Sequence, residues 1–298
     1  MYWSGMRAGA ARIVIGALAA AALTACSSGG SGQQARQVSV TKPAQIFPAP
    51  KNLLSAGAPQ PNGTLWALAG GAASKGLFDI DLTTGQEDGS ISVSGAARSV
   101  AESLTGVVGL ALATNRTGAL QLLNGTTGKV TQTIPLPAPA REVVAASNGA
   151  TFYVLNGGSK AADVTLVNSA NGNVEATVPV PLDTVSVAPG AQGAALYALQ
   201  PDGLVSQIDV AGGQIRSSFP IGSAARSLAL SPDGGTLYVL KDSGRTVNVA
   251  EVDLATQSVR RALPAPVRAL QVLTSADGSR LYEVVGTPAY GNIQVFQS

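Results

Sequence analysis

The stretch Ala224–Thr256, AARSLALSPDGGTLYVLKDSGRTVNVAEVDLAT, decides the fold of this chain. Its apolar runs predict three short strands, Ser227–Leu230, Thr236–Leu240 and Thr246–Leu254. Proline sets φ at the first corner of a turn and glycine supplies a positive φ, so the PDGG segment predicts a hairpin between the first two strands. One sheet of this size cannot bury both of its faces, whereas several such sheets packed side by side can.

The same unit recurs along the chain. The first large apolar residue after its glycine turn returns at spacings of 43, 44, 44, 41 and 44 residues, at Leu65, Val108, Phe152, Leu196, Leu237 and Leu281. The residue that follows is aromatic in five units and Gly109 in the other, the aromatics being Trp66, Tyr153, Tyr197, Tyr238 and Tyr282. We interpret these aromatics as packing between adjacent sheets.

In each of the first five units, the third predicted strand ends in a short polar residue: Asp81, Asn124, Asn168, Asp209 or Asp253. A short carboxylate or amide hydrogen-bonds the backbone two residues further on and so stabilises a turn. We therefore interpret these residues as turn-stabilising rather than as metal ligands.

A period near 43 residues with four strands in each unit predicts an all-β, six-bladed β-propeller. The last unit ends after its third strand, Asn292–Gln297. The segments Gln37–Val40 and Gln45–Phe47 precede the first unit and are predicted to supply the missing fourth strand. Pairing the two ends of the chain in one sheet would leave the ring of sheets without an open edge.

Residues 1–25 have the pattern of a secretory signal peptide, with a positively charged start and an apolar run, Ile13–Ala22, too short to span a bilayer. The run ends in Leu23-Thr24-Ala25-Cys26, which resembles the lipobox of bacterial lipoproteins. The resemblance implies cleavage before Cys26 and lipid attachment to its thiol; an ordinary signal peptide with a chance cysteine is the alternative. Residues 26–36 then form a flexible tether and residues 37–298 the propeller. We expect an exported protein anchored to the outer side of the cell membrane, or in the periplasm or envelope.

The segments SPDGGTLYVL and SADGSRLYEV, with the turns DLTTG and NGTTG, resemble the YVTN-type propeller repeats of bacterial surface and exported proteins. The resemblance covers nearly all of residues 37–298. It is a match between repeats, and it implies no particular chemistry.

The amino-acid composition limits the kinds of catalysis and ligand binding that the chain can support. The chain has no histidine, which removes the usual general base and the commonest metal ligand. Without the leader's Arg7 and Arg12, 17 basic and 17 acidic side chains remain of the 19 and 17 in the whole chain. This balance does not predict nucleic-acid binding. We predict no catalytic residue, metal site or cofactor, and we expect a monomer.

One aligned position is nevertheless mostly basic. The residue before each predicted first strand is Lys51, Arg98, Arg141, Asp183, Arg226 or Arg268. In a propeller this connection lies near the axis, so these side chains predict a cationic ring at one mouth of the channel that holds an anion or an acidic partner. The alternative is mechanical, because the arginine fork also suits hydrogen bonds to carbonyls of the neighbouring blade.

Three classes of function follow. The leading hypothesis is a non-catalytic, lipid-anchored propeller that binds a protein, a glycan or an anionic envelope component. The second is a propeller enzyme of the quinone-dependent dehydrogenase, lactonase or lyase type. The active site of such an enzyme would collect polar side chains from several blades around a metal or cofactor. In this chain the residues before the predicted first strands are mostly cationic, and cations disfavour a metal ion but suit a tricarboxylate quinone. The third is a structural spacer or surface antigen.

Overall fold

The computed structural model describes residues 42–71, 74–93, 96–157 and 161–297. Within these residues the chain forms six antiparallel sheets of four strands each. The first strands of neighbouring sheets contact one another around the ring, which places them at the axis. The predicted six-bladed β-propeller is confirmed. In the same described residues, no helix has the length and apolar character needed to cross a membrane.

The blades follow one another along the chain. Blade 1 contains β2 (Leu53–Ala56), β3 (Thr64–Gly71), β4 (Ser74–Asp81) and β5 (Glu87–Ile91), and blade 2 contains β6 (Ala97–Glu102), β7 (Val107–Ala113), β8 (Gly118–Asn124) and β9 (Val130–Leu136). Blade 3 contains β10 (Ala140–Ala145), β11 (Thr151–Gly157), β12 (Ala162–Asn168) and β13 (Val174–Val180), and blade 4 contains β14 (Ser186–Pro189), β15 (Ala195–Leu199), β16 (Leu204–Asp209) and β17 (Ile215–Pro220). Blade 5 contains β18 (Ala225–Leu230), β19 (Thr236–Asp242), β20 (Val247–Asp253) and β21 (Ser258–Pro264). Blade 6 contains β22 (Ala269–Thr274), β23 (Arg280–Gly286), β24 (Gly291–Gln297) and the N-terminal strand β1 (Gln45–Ala49).

Strand β1 completes blade 6 as the sequence predicts. It runs antiparallel to β24, with Phe47 opposite Ile293. Phe47 is buried in the apolar cluster between blades 6 and 1. The other predicted segment, Gln37–Val40, lies outside the described residues.

The turns after the third strands are stabilised as predicted. The Asp253 side chain accepts hydrogen bonds from the backbone N–H groups of Ala255 and Thr256, at 2.8 and 3.0 Å. The equivalent residues of the other four units, Asp81, Asn124, Asn168 and Asp209, accept similar bonds. The PDGG hairpin has Gly234 at φ +75°, a conformation that glycine adopts without strain.

Six apolar clusters fill the six interfaces between neighbouring blades. The repeated aromatics lie in these clusters, which confirms their predicted role. Gly109 lacks such a side chain because the Phe152 ring of the next blade occupies the space. A Cβ at Gly109 would lie 3.1 Å from that ring.

Candidate functional site

Six polar side chains, one from the first strand of each blade, form a closed ring at the axis, which we call the polar ring: Ser55, Ser99, Glu142, Ser186, Ser227 and Gln271. The side chain of each ring member accepts a hydrogen bond from the next blade. The donor is the backbone N–H of the residue that directly follows that blade's own ring member. The donors, beginning with the partner of Ser55, are Val100 (3.5 Å), Val143 (3.1 Å), Val187 (2.8 Å), Leu228 (3.3 Å), Val272 (3.3 Å) and Ala56 (3.0 Å). The polar ring therefore links every blade to its neighbour.

The two long members of the polar ring, Glu142 and Gln271, belong to blades 3 and 6, which lie opposite each other in a six-bladed ring. The Glu142 carboxylate accepts one hydrogen bond on each oxygen, from the Ser186 hydroxyl at 2.9 Å and the Val187 N–H at 2.8 Å. Burial raises the pKa of Glu142 to about 7, although these two hydrogen bonds oppose the shift. It has no ion pair with any described residue.

On the side of the hairpins between first and second strands, the axis widens into a cavity of about 180 Å³, which we call the funnel. Two members of the polar ring, Glu142 and Gln271, belong to its lining. Its wall is lined by small and aliphatic side chains from all six first strands, including Ala101, Val144, Ala188, Ala229 and Leu273. Among the described residues that line the funnel, the charged side chains are Glu102 and Glu142, and no lysine or arginine occurs.

The second carboxyl that lines the funnel belongs to Glu102 of blade 2, which lies close to Trp66 and Asp79 of blade 1. Its Oε2 atom is buried without a hydrogen bond to a described residue, and the Trp66 side chain of blade 1 favours the ionised form of the carboxyl. Burial, and then the negative charge of Asp79, raises the pKa of Glu102 to about 7. The described residues contain no group of three or more histidine, cysteine or acidic side chains that could hold a metal.

The structure corrects the alignment of the basic residues. Arg98, Arg141 and Arg226 lie inside their first strands, immediately before polar-ring members, and a β-bulge occurs there in each strand. At the same position the other blades have Leu54, Val185 and Leu270. Lys51 lies four residues and Asp183 and Arg268 three residues before their ring members, in the connections between blades. The six residues do not share one position, because the linkers that enter the first strands have different lengths.

All six residues are nevertheless exposed on the mouth opposite the funnel, and we call this set the basic rim: Lys51, Arg98, Arg141, Asp183, Arg226 and Arg268. Arg141 lies over Gly157 of its own blade, where a Cβ would meet the guanidinium at 3.3 Å. Arg226 pairs with Asp242 of its own blade at 3.2 Å, and its side chain remains 55% exposed. The two guanidinium groups thus lie over their own second strands rather than across the axis.

The blade-locking alternative is not found for these arginines. Within the described part of the chain, the Arg98, Arg141 and Arg268 side chains make no hydrogen bond or ion pair, and Arg226 pairs inside its own blade. The polar ring makes the contact between blades instead. The members of the polar ring were not predicted from the sequence. The signal for them is one aligned position that contains only Ser, Glu and Gln, at spacings of 44, 43, 44, 41 and 44 residues.

Comparisons with known proteins support the propeller fold and assign no family. A scan of protein-family models finds no match to the chain, and a search of curated proteins finds none either. Among solved structures, hydrazine synthase of Kuenenia stuttgartiensis is similar with a TM-score of 0.61 and 15% sequence identity, over 85% of this chain and 77% of that chain. At this identity the similarity shows the propeller fold alone.

Proposed function

We propose that this propeller is a lipid-anchored, non-catalytic binding module of the bacterial envelope whose basic rim holds an acidic partner. The observation that carries the proposal is that the Arg98 and Arg141 side chains are exposed and make no hydrogen bond or ion pair with a described residue. The polar ring already links the blades, so these arginines are available for a ligand. The anchor rests on the resemblance of the leader to a lipobox at Cys26, which lies outside the described residues.

The spread of the cations favours a macromolecular partner over a small anion at the axis. Arg98, Arg141 and Arg226 belong to blades 2, 3 and 5, and Arg141 and Arg226 extend over their own blades. An acidic protein segment or an anionic glycan contacts several such groups at once, and arginine suits carboxylates and phosphates because its planar fork donates two parallel hydrogen bonds.

Binding of poly-L-glutamate by the double variant Arg98→Gln/Arg141→Gln tests the proposal. We expect its affinity at low salt to fall about tenfold and its salt dependence to weaken, because exposed charges act through screened Coulomb attraction. Its free energy of unfolding should change by less than about 0.5 kcal/mol, as for exposed side chains without partners.

The matched control is Lys129→Gln/Arg280→Gln, which removes two exposed charges at the funnel end of the propeller. This control should bind the polyanion almost as the unaltered protein does. Equal losses in both double variants would show that net charge, rather than the basic rim, governs binding, and would overturn the assignment.

A further inference from the structure

A second site lies at the opposite end of the axis, and it is independent of the proposed function of the basic rim. The funnel is lined mainly by small and aliphatic residues, and its uncharged polar lining residues are Gln60, Ser147, Ser231, Gln271, Thr274 and Ser275. Its charged lining, within the described residues, is acidic only and includes the Glu142 carboxylate. The Glu142 oxygens each accept one hydrogen bond from uncharged partners, and no described cation pairs with them. A buried carboxylate without a counter-ion is costly, so a site of this kind is complementary to a cation with an apolar body.

We propose that the funnel binds a small primary alkylammonium ion, with the ammonium group at the Glu142 carboxylate and the alkyl chain against the aliphatic wall. The two carboxylate oxygens retain lone pairs beyond the bonds to Ser186 and Val187, and an ammonium group supplies three donors. Val144, Ala188 and Leu273 provide apolar wall surface for the chain.

The size of the ligand follows from the cavity. The funnel has a volume of about 180 Å³, and roughly 10–15 Å³ of such space is enough for one water-sized group. An unbranched amine with four or five carbons fits this volume.

The ionisable surroundings of Glu142 are simple, and they set the pH dependence of binding. Strand β14, which receives the side chain, contributes Ser186 and Val187, and the other polar-ring members facing the axis are serines and Gln271, none of which titrates near neutral pH. Glu102 is the other titratable group of the described lining, and its pKa is raised by burial and by the negative charge of Asp79. Arg141, the neighbour of Glu142 in sequence, lies over Gly157. With the pKa of Glu142 raised to about 7, the carboxylate that attracts an ammonium ion increases about tenfold between pH 6 and pH 8.

The test measures binding of n-butylammonium chloride to the full chain by calorimetry, with n-butanol and sodium butyrate as uncharged and oppositely charged probes of the same length. We expect n-butylammonium to bind at least tenfold more tightly than either probe at pH 8, and about tenfold more tightly at pH 8 than at pH 6. Glu142→Gln should lose at least tenfold in affinity together with this pH dependence. Glu102→Gln, the matched loss of the other funnel carboxyl, should keep both.

A second variant guards against a folding defect. Glu142→Ser introduces the residue that four other blades carry at this position, and those serines accept the hydrogen bond from the next blade. It should melt cooperatively and still fail to bind n-butylammonium. Equal binding of n-butanol, unchanged affinity in the folded Glu142 variants, or tighter binding of a lysine-containing peptide than of the free amine would each overturn the proposal. None of these outcomes bears on polyanion binding at the basic rim.

Discussion

The Gln271 side-chain oxygen accepts a hydrogen bond from the backbone N–H of Ala56 at 3.0 Å, although 215 residues separate the two in sequence. This bond links blade 6 to blade 1 and closes the polar ring. The pairing of β1 with β24 closes the same junction through backbone hydrogen bonds. The circular fold is therefore closed by a side chain near the axis and by a strand at the outer edge of blade 6.

The first prediction concerns this closing bond. Gln271→Ala should lower the free energy of unfolding by about 1–3 kcal/mol, because it leaves the Ala56 N–H without its hydrogen-bond acceptor. Gln271→Ser should be less destabilising, since serine makes the equivalent bond in four of the blades. Urea unfolding of the two variants measures the difference, and equal stability of both would contradict a structural role for the bond.

The second prediction concerns β1. Phe47 is buried between blades 6 and 1, whereas its neighbour Ile46 is 57% exposed. Phe47→Ala should cost about 3–5 kcal/mol through the lost burial and the cavity left behind. Ile46→Ala, the matched control in the same strand, should change stability by less than about 0.5 kcal/mol. Similar, small effects of both substitutions would mean that β1 does not contribute to closing the propeller.

The third prediction concerns the anchor. Cys26→Ala should abolish incorporation of radioactive palmitate in bacterial cells, because the thiol of this single cysteine is the predicted attachment point. Ser27→Ala changes the adjacent residue without removing the thiol and should keep the label. A labelled Cys26→Ala protein would exclude the lipoprotein assignment.

The features predictable from sequence are those that a single repeat contains, together with two that follow from comparing the repeats: the packing role of the repeated aromatics and the place of β1, which fills the fourth strand that the last unit lacks. The PDGG hairpin and the Asp253 turn depend on residues next to one another in the chain, so their residue types predict the structure directly. The contacts between blades depend on residues about 44 positions apart whose side chains meet only in the ring. Gly109 illustrates this, because its missing aromatic is replaced by Phe152 of the next blade.

The candidate site shows the same difference between features that lie within one repeat and contacts between blades. Exposure of Arg98 and Arg141 follows from their charge. Their equivalence to Leu54 rather than to Lys51 depends on a bulge and a linker length that the sequence does not display. Glu142 resembles an ordinary polar residue of a strand until its oxygens are placed against Ser186 and Val187 of the next blade.

The last prediction concerns a carboxyl buried between blades 5 and 6. Glu283 is 1% exposed, and its Oε2 atom has no hydrogen bond to any described residue. The equivalent residues of the other blades are all apolar and fully buried, namely Ala67, Leu110, Val154, Ala198 and Val239. Burial raises the pKa of Glu283 from its ordinary value of 4.5 to about 8. The carboxyl is therefore protonated in the folded protein at pH 6, while it is ionised in the unfolded chain.

A group whose pKa is raised by folding stabilises the protein below its unfolded pKa, and this contribution is lost as the pH rises toward the folded pKa. Glu283 should therefore lower the free energy of unfolding progressively between pH 4.5 and pH 8. Glu283→Val, which introduces the residue found at 154 and 239, should be more stable than the unaltered protein. Its advantage should grow by on the order of 2 kcal/mol between pH 6 and pH 8, at about 1.4 kcal/mol for each pKa unit.

Urea unfolding at several pH values measures this advantage. The matched control is Glu87→Gln, which removes an exposed carboxyl and should leave the pH dependence of stability almost unchanged. Glu102 and Glu142 remain in both variants and contribute their own loss of stability with rising pH, because burial raises their pKa values to about 7 as well. A Glu283→Val protein that is less stable at pH 8, or that keeps the full pH dependence, would show that the buried carboxyl has a partner that stabilises its charge.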